Sequence, residues 1–399
     1  MTNRRGFKLI ASLAVVAGLG LGACSSGDGG SPSAPGAGPA PNGAVAPAAA
    51  APVAALTMLP ANGAADVSPA APTQVTVENG TINTVQLSNP EGKPVKGELA
   101  ADKKTWTVGE QLGYGKTYTW SGTAAGSNGQ ELPITGTFST VKPKRTETGT
   151  LNVGDNKTYG IAMPVKLDFK NPVKDKASVE KALTVTTSVP TEGSWAWLGD
   201  SEVHWRPKEY WKPDTKVTVA AKLYGVSFGN GVYGKQDVSS AFTIGRDQRV
   251  EANTQTHRLI VRQNGAVVHN FAASYGLESD KGRVTPSGIH VVMEKHATYS
   301  MSNPRYNYTD VVVPWAVRFS NHGEFIHGYQ GSVGDQGKRN VSHGCANLSP
   351  ANAKIYYDSA MIGDPVEVTG SSVPMSDSQF DYFDWAITWD KWQAKSALR

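Results

Sequence analysis

At 399 residues, with 39% hydrophobic side chains, 10 Trp and 14 Tyr, the chain has room for about two to four domains with real cores, since one core rarely serves more than about 250 to 300 residues. Its 43 Gly and 24 Pro favour short strands and frequent turns over long helices. The formal charge of +4 is not a nucleic-acid signature. Arg4, Arg5 and Lys8 fall in a segment read below as cleaved, and no cluster of arginines and aromatics marks a nucleic-acid surface elsewhere.

Residues 1–23 read as a signal peptide, because the basic Arg4, Arg5 and Lys8 precede an apolar run, 9–21, that is too short to span a bilayer comfortably. The segment ends Leu21-Gly22-Ala23-Cys24, which resembles the lipobox of bacterial lipoproteins. That resemblance implies a lipidated Cys24 as mature N-terminus, anchored on the outer (periplasmic) face of the cell membrane by two or more acyl chains. Residues 24–55 are Ser, Gly, Pro and Ala with almost no charge. Such a stretch cannot bury enough surface to offset its ordering entropy, and its Pro and Ala content makes it a partly extended tether.

From residue 56 the composition changes to short β-rich runs. Val75-Thr76-Val77, Thr105-Trp106-Thr107-Val108, Thr117-Tyr118-Thr119-Trp120 and Thr135-Gly136-Thr137-Phe138 are separated by turn residues, the pattern of a small β-sandwich over 56–143. Residues 144–248 echo it: Trp106 is followed by Leu112 and Thr119 at the offsets at which Trp205 is followed by Trp211 and Thr218. The echo predicts tandem immunoglobulin-like sandwiches without the antibody disulfide. Trp195, Trp197, Trp205 and Trp211 read as core residues rather than a carbohydrate platform, and the pair as a spacer.

The third unit, 249–369, is predicted mostly β with one main helix. Leu259-Ile260-Val261 and Ala266-Val267-Val268 flank Asn264-Gly265, a type I′ hairpin signal. Thr285-Pro286-Ser287-Gly288 turns into a strand at 289–293. Residues 315–319 and 324–326 flank Asn321-His322-Gly323, a second hairpin. A helix over 351–360 follows the N-cap Ser349 and the first-turn Pro350; Gly363 ends it, and 365–368 is a closing strand. The tail, 370–399, carries Phe380, Tyr382, Phe383, Trp385, Trp389 and Trp392, too sticky to be left free, and is expected to fold onto the third unit or its neighbour.

The chemistry concentrates in residues 327–347. With Cys24 assigned to the anchor, Cys345 is the one thiol of the mature domains and has no disulfide partner. A thiol is a useful nucleophile only as the thiolate, so it needs a base or a positive environment. His327, at a strand end, is placed as general base or ion-pair partner; His343, two residues before the thiol, orients the loop. The backbone N–H groups of His343, Gly344 and Cys345 can point at one oxygen, as an oxyanion hole requires, and Gly344 lets the backbone turn. The constellation predicts acyl transfer through a thioester.

His327, fourteen residues, and then Ser342-His343-Gly344-Cys345-Ala346-Asn347 resemble the signature of the YkuD-type L,D-transpeptidases. The order of lipobox, two Ig-like domains, catalytic domain and Trp-rich tail is similar to the mycobacterial members. The resemblance implies that Cys345 attacks the diaminopimelate carbonyl of a peptidoglycan tetrapeptide stem, releasing D-Ala, and that an amine of a second stem resolves the thioester into a three-to-three cross-link. It implies that a backbone carbonyl such as that of Gly328 orients His327, that a flap over about 294–313 covers the site, and that Tyr308, His322, Gly323, Gly328, Ser342 and Asn347 contact substrate. It further implies acylation by carbapenems and no cofactor or metal. Three other readings stand beside it: an L,D-carboxypeptidase working through the same acyl-enzyme; a wall-binding lipoprotein with a vestigial third unit; and a zinc site made of His322, His327, His343 and Cys345, against which the absence of a second short metal-binding pair argues.

Overall fold

The computed structural model of the protein describes residues 53–320, 322–376 and 382–399. The expected signal peptide, Cys24 and nearly all of the tether lie outside them, as do Asn321 and Phe380. Among the described residues no helix is long and apolar enough to cross a membrane.

Short strands dominate. In the first sandwich Ala55–Leu59, Gln74–Glu78, Thr105–Val108 and Gly97–Leu99 form one antiparallel sheet, and Gly80–Ser88, Thr117–Gly126, Glu131–Pro133 and Gly136–Ser139 the other. Period-two alternation along these strands turns Val75, Val77, Tyr118 and Trp120 into one core with Ile82 and Phe138. The second sandwich pairs Gly149–Leu151, Val165–Phe169, Glu202–Pro207 and Gly193–Trp197 in one sheet. Its other sheet holds Thr158–Tyr159, Val238–Ile244, Lys216–Ala221 and Leu183–Thr187. The sequence echo has a structural counterpart. Trp106 and Trp205 each lie over a glycine of the neighbouring strand, and a Cβ on Gly97 or Gly193 would fall 1.9 or 2.0 Å from the indole Cζ2. Leu112 and Trp211 are both buried, as are Trp195, Trp197 and Trp205, so these tryptophans are core residues.

The two sandwiches are joined by reciprocal hydrogen bonds. The Tyr114 hydroxyl donates to the Gly234 carbonyl at 2.7 Å and accepts the Gly225 N–H at 2.8 Å, while the Tyr224 hydroxyl donates to the Leu112 carbonyl at 2.6 Å. The second sandwich meets the third unit through backbone, where the N–H groups of Gly160 and Ala162 donate to the carbonyls of Ile362 and Gly363 at 2.7 and 2.8 Å, and through side chains, where the Arg246 guanidinium pairs with the Asp364 carboxylate at 2.9 and 3.0 Å. A Cβ on Gly160 would sit 2.2 Å from the Asp364 nitrogen, so this close approach requires glycine.

The third unit has two sheets around a core that includes Leu259, Val261, Phe319, Ile326 and Tyr356. One sheet runs Ala266–Ala272, Arg258–Gln263, Gln248–Asn253, Pro365–Thr369, Gly288–Val291; the other runs Glu294–Asn303, Tyr308–Arg318, Phe325–Gly328, Ala346–Leu348. Asn264 and Gly265 have φ of 49° and 82°, the two positive values of a type I′ turn. The helix Pro350–Ser359 is capped by the Ser349 hydroxyl, which accepts the Asn352 N–H at 3.2 Å. Between Cys345 and this helix the chain adds a strand not predicted from the sequence: Ala346–Leu348 runs in parallel register with Phe325–Gly328. Three wholly buried residues are too few to display an alternation.

The tail contacts both neighbours: its start pairs with Ser287 of the third unit through Val373 and Met375 at 2.8 and 2.6 Å, and its aromatic end folds onto the second sandwich. Trp392, fully buried, donates its indole N–H to the Ser194 carbonyl, and that of Trp385 goes to the Ala162 carbonyl, both at 2.9 Å. The Arg206 guanidinium lies 4.7 Å from the ring centroids of both Trp385 and Trp392 and 5.3 Å from that of Trp389. Beside it, buried His204 bridges Glu202 at 2.7 Å and Asp384 at 2.8 Å. Burial alone would push its pKa down, but the two carboxylates override this and raise it to about 9. A raised pKa means that the protonated ring favours the docked state, so its stabilisation is complete below the ordinary histidine value of 6.5 and is lost as pH rises through about 9. We expect thermal stability followed by tryptophan fluorescence to fall between pH 7 and pH 10, and Asp384→Asn to flatten that dependence.

Candidate active site

His327 lies on Phe325–Gly328, a strand whose four residues are all buried. It is held by the flap strand Tyr308–Arg318 on one side and by Ala346–Leu348 on the other. The imidazole Nδ1 donates to the Gly328 carbonyl at 3.0 Å, which leaves the lone pair of the neutral ring on Nε2. Burial pushes its pKa down to about 4 against the pull of that carbonyl, so the ring is neutral at pH 7.

Cys345 is half-buried. Its side chain packs against the cluster of Val313, Ala316 and Phe325, and the thiol donates to the Gly323 carbonyl at 3.7 Å. Burial pushes the thiol up to about 12; the Phe325 N–H eases it down and the Glu324 carboxylate adds to the rise. Of the two roles the sequence left open for His327, both shifts favour general base over a preformed ion pair.

The two side chains open into one cavity of about 230 Å³. Ser342, His343 and Asn347 form one wall with Tyr329, and Met301, Tyr308, Val311 and Val313 of the flap form the roof. The flap is the hairpin of Glu294–Asn303 and Tyr308–Arg318, whose inward side chains alternate with the exposed Val312. His343 is exposed, and its ring centroid lies 4.8 Å from that of Tyr306 and 5.3 Å from that of Tyr308. Partial burial and then the Arg283 charge lower its pKa, with Asp280 opposing. It connects the Ser342–Cys345 turn to the flap.

The remaining expected contacts divide. The Ser342 hydroxyl is committed inside its own turn, donating to the Cys345 carbonyl at 2.6 Å and accepting the Gly344 N–H at 3.2 Å. This removes Gly344 from the expected oxyanion hole. Among the described residues the N–H groups of His343 and Cys345 have no hydrogen-bond partner, which leaves these two as the candidate donors. Asn347 is 4% exposed and anchored by donation to the Ser332 hydroxyl at 3.2 Å. Gly328 acts through its carbonyl, and a Cβ there would meet Pro314 and Pro350 at 3.0 Å. The His322 N–H is taken by the Ser320 hydroxyl at 3.1 Å, which leaves that backbone donor unavailable to substrate, and Gly323 faces the thiol rather than the cavity. The proposed zinc ligands do not gather: among the described residues no three His, Cys, Asp or Glu are placed to hold a metal.

Residues 247–368 match the L,D-transpeptidase catalytic domain family, YkuD, and residues 64–227 match the bacterial Ig domain family. Over 348 residues, 86% of this chain and 77% of the relative, the sequence is 50% identical to L,D-transpeptidase 5 of Mycobacterium tuberculosis (strain ATCC 25618 / H37Rv). The chain belongs to the L,D-transpeptidase family. The transpeptidase is also 38% identical to L,D-transpeptidase 2 of Mycobacterium tuberculosis (strain CDC 1551 / Oshkosh) over 86% of this chain and 85% of that one. A solved LD transpeptidase in complex with imipenem is 32% identical, covers 55% of this chain and 97% of its own, and superposes with a TM-score of 0.47. Membership makes the chain an acyltransferase.

The L,D-transpeptidase site also contains residues that sequence reasoning missed. Tyr329 adjoins Gly328 and walls the cavity, and the Tyr306 ring packs at a tilt of 44° to His343. Thr285 enters the sequence reading only as the first residue of a turn, and Arg283, two residues before it, not at all. Tyr306 was within reach of the sequence, lying two residues before Tyr308 on the same hairpin.

Proposed function

We propose that this transpeptidase forms three-to-three peptidoglycan cross-links through a thioester on Cys345. The observation that carries the proposal is the shared cavity, in which a neutral imidazole with a free Nε2 lone pair and a thiol lie beside two unengaged backbone N–H donors.

His327 Nε2 takes the thiol proton as sulfur bonds to the carbonyl carbon of diaminopimelate. The resulting oxyanion is met by the N–H groups of His343 and Cys345. The carbon–nitrogen bond to D-Ala breaks, and the imidazolium returns the proton to the departing amine. An amine of a second stem then attacks the thioester, gives its proton to His327, and restores the thiol as the sulfur–carbon bond breaks. The flap's apolar roof excludes water, which favours the amine over hydrolysis. Carbapenems acylate the same thiol. On the lipobox sequence, Cys24 carries a lipid anchor on the outer face of the membrane, and the tether and two sandwiches carry the site into the wall. Incubation with a disaccharide-tetrapeptide tests the reaction: cross-linked dimer with release of D-Ala is expected, and release of D-Ala without dimer would make the enzyme a carboxypeptidase.

A further inference from the structure

The nucleophile turn is braced from behind by a segment 58 to 59 residues earlier in the chain. Thr285, which has no solvent exposure, accepts the Gly276 N–H at 2.9 Å and donates its hydroxyl to the Gly344 carbonyl at 2.7 Å. Two residues before it, Arg283 donates from Nη2 to the Val341 carbonyl at 2.6 Å and from Nε to the Ser342 carbonyl at 3.1 Å. The Ser342 carbonyl has a second donor, the Leu277 N–H at 3.2 Å. Thr285 is the one described donor to the Gly344 carbonyl. The brace is itself fixed, because the buried His290 donates Nε2–H to the Pro286 carbonyl at 2.9 Å.

A trans peptide is planar, with its C=O and N–H pointing in opposite directions. Holding the Ser342 carbonyl toward Arg283 therefore directs the His343 N–H away from the brace. Holding the Gly344 carbonyl toward Thr285 does the same for the Cys345 N–H. These are the two N–H groups left without partners, on two residues that line the cavity. Gly344, at φ +115°, has the freedom to let this peptide rotate, so without its partner the plane is not fixed by the turn itself.

We propose that Thr285 is a positioning residue for acyl transfer, aiming the Cys345 N–H at the oxyanion through the Gly344 carbonyl, with Arg283 as the weaker, partly duplicated brace of the His343 N–H. This rests on the thioester reading above. It assigns a role in the transition state to a side chain that touches neither substrate nor thiol.

The test separates a reaction that develops an oxyanion from one that does not. Acylation of Cys345 by a carbapenem passes through a tetrahedral oxyanion. Alkylation by iodoacetamide forms a sulfur–carbon bond at saturated carbon as iodide leaves, and develops none. Thr285→Val is expected to lower the maximal acylation rate by about tenfold to a hundredfold, somewhat less than outright loss of an oxyanion donor. The carbapenem concentration for half-maximal rate and the alkylation rate at pH 9 should each move by less than about threefold, and Thr285→Ser should restore acylation. Arg283→Met should show the same selectivity with a smaller loss. Parallel falls in acylation and alkylation would overturn the proposal, as would unchanged acylation. If Thr285→Val does not fold, Thr285→Ala takes its place, and failure of both to fold would make Thr285 a structural residue and likewise overturn it. Failure of the wild-type protein to acylate would instead refute the thioester mechanism itself.

Discussion

His327→Gln is expected to lower the rate of acyl transfer by about a hundredfold to ten-thousandfold, the range for loss of a positioned general base. Glutamine can still donate to the Gly328 carbonyl that His327 now engages, so the strand keeps its anchor while the basic Nε2 is lost. The pH dependence distinguishes general base from ion pair. A base must be unprotonated, and burial holds this imidazole near pH 4 while the thiol is pushed up to about 12. Activity should therefore rise as pH climbs through about 4 and stay level across neutrality. Ultraviolet difference spectra at 240 nm should show no thiolate at pH 7. A thiolate signal at pH 7 that disappears in His327→Gln would instead establish an ion pair.

Cys345→Ala is expected to reduce transfer at least about ten-thousandfold, because the Ser342 hydroxyl in the same cavity is committed to the Cys345 carbonyl, and nucleophile removal in comparable systems costs that much or more. The fold should survive. The half-buried thiol makes a long hydrogen bond to the Gly323 carbonyl and meets the Phe325 N–H but otherwise packs as a small apolar group, so its loss costs about 1 kcal/mol, the scale for one buried methylene. A melting temperature within a few degrees of wild type, together with absent transfer, would separate chemistry from folding. Retained transfer would place the nucleophile elsewhere.

What the sequence made legible follows from interaction range. The type I′ turn at Asn264 and Gly265 and the Ser349 cap are local, written in two to four adjacent residues. The spacing of His327 from the Ser342-His343-Gly344-Cys345 run pointed to a shared site, and the structure brings the two side chains to one cavity. The less legible features depend on distant partners. Thr285 meets Gly344, and His204 meets Asp384, across 59 and 180 positions, with no periodicity to announce either. The tail's aromatics promised docking, but the choice of the second sandwich depends on Arg206, whose charge becomes a platform only when three indoles surround it. Gly344 was assigned to the oxyanion hole because three adjacent N–H groups look equivalent in sequence. The rotamer of Ser342 breaks that equivalence.

Intact-protein mass spectrometry after exposure to a carbapenem addresses the thioester on Cys345 most directly. Wild-type protein should gain the mass of one inhibitor molecule, with the label on the peptide containing Cys345, and Cys345→Ala should gain none. An unmodified wild-type protein, or an adduct of the same mass on Cys345→Ala, would contradict the mechanism.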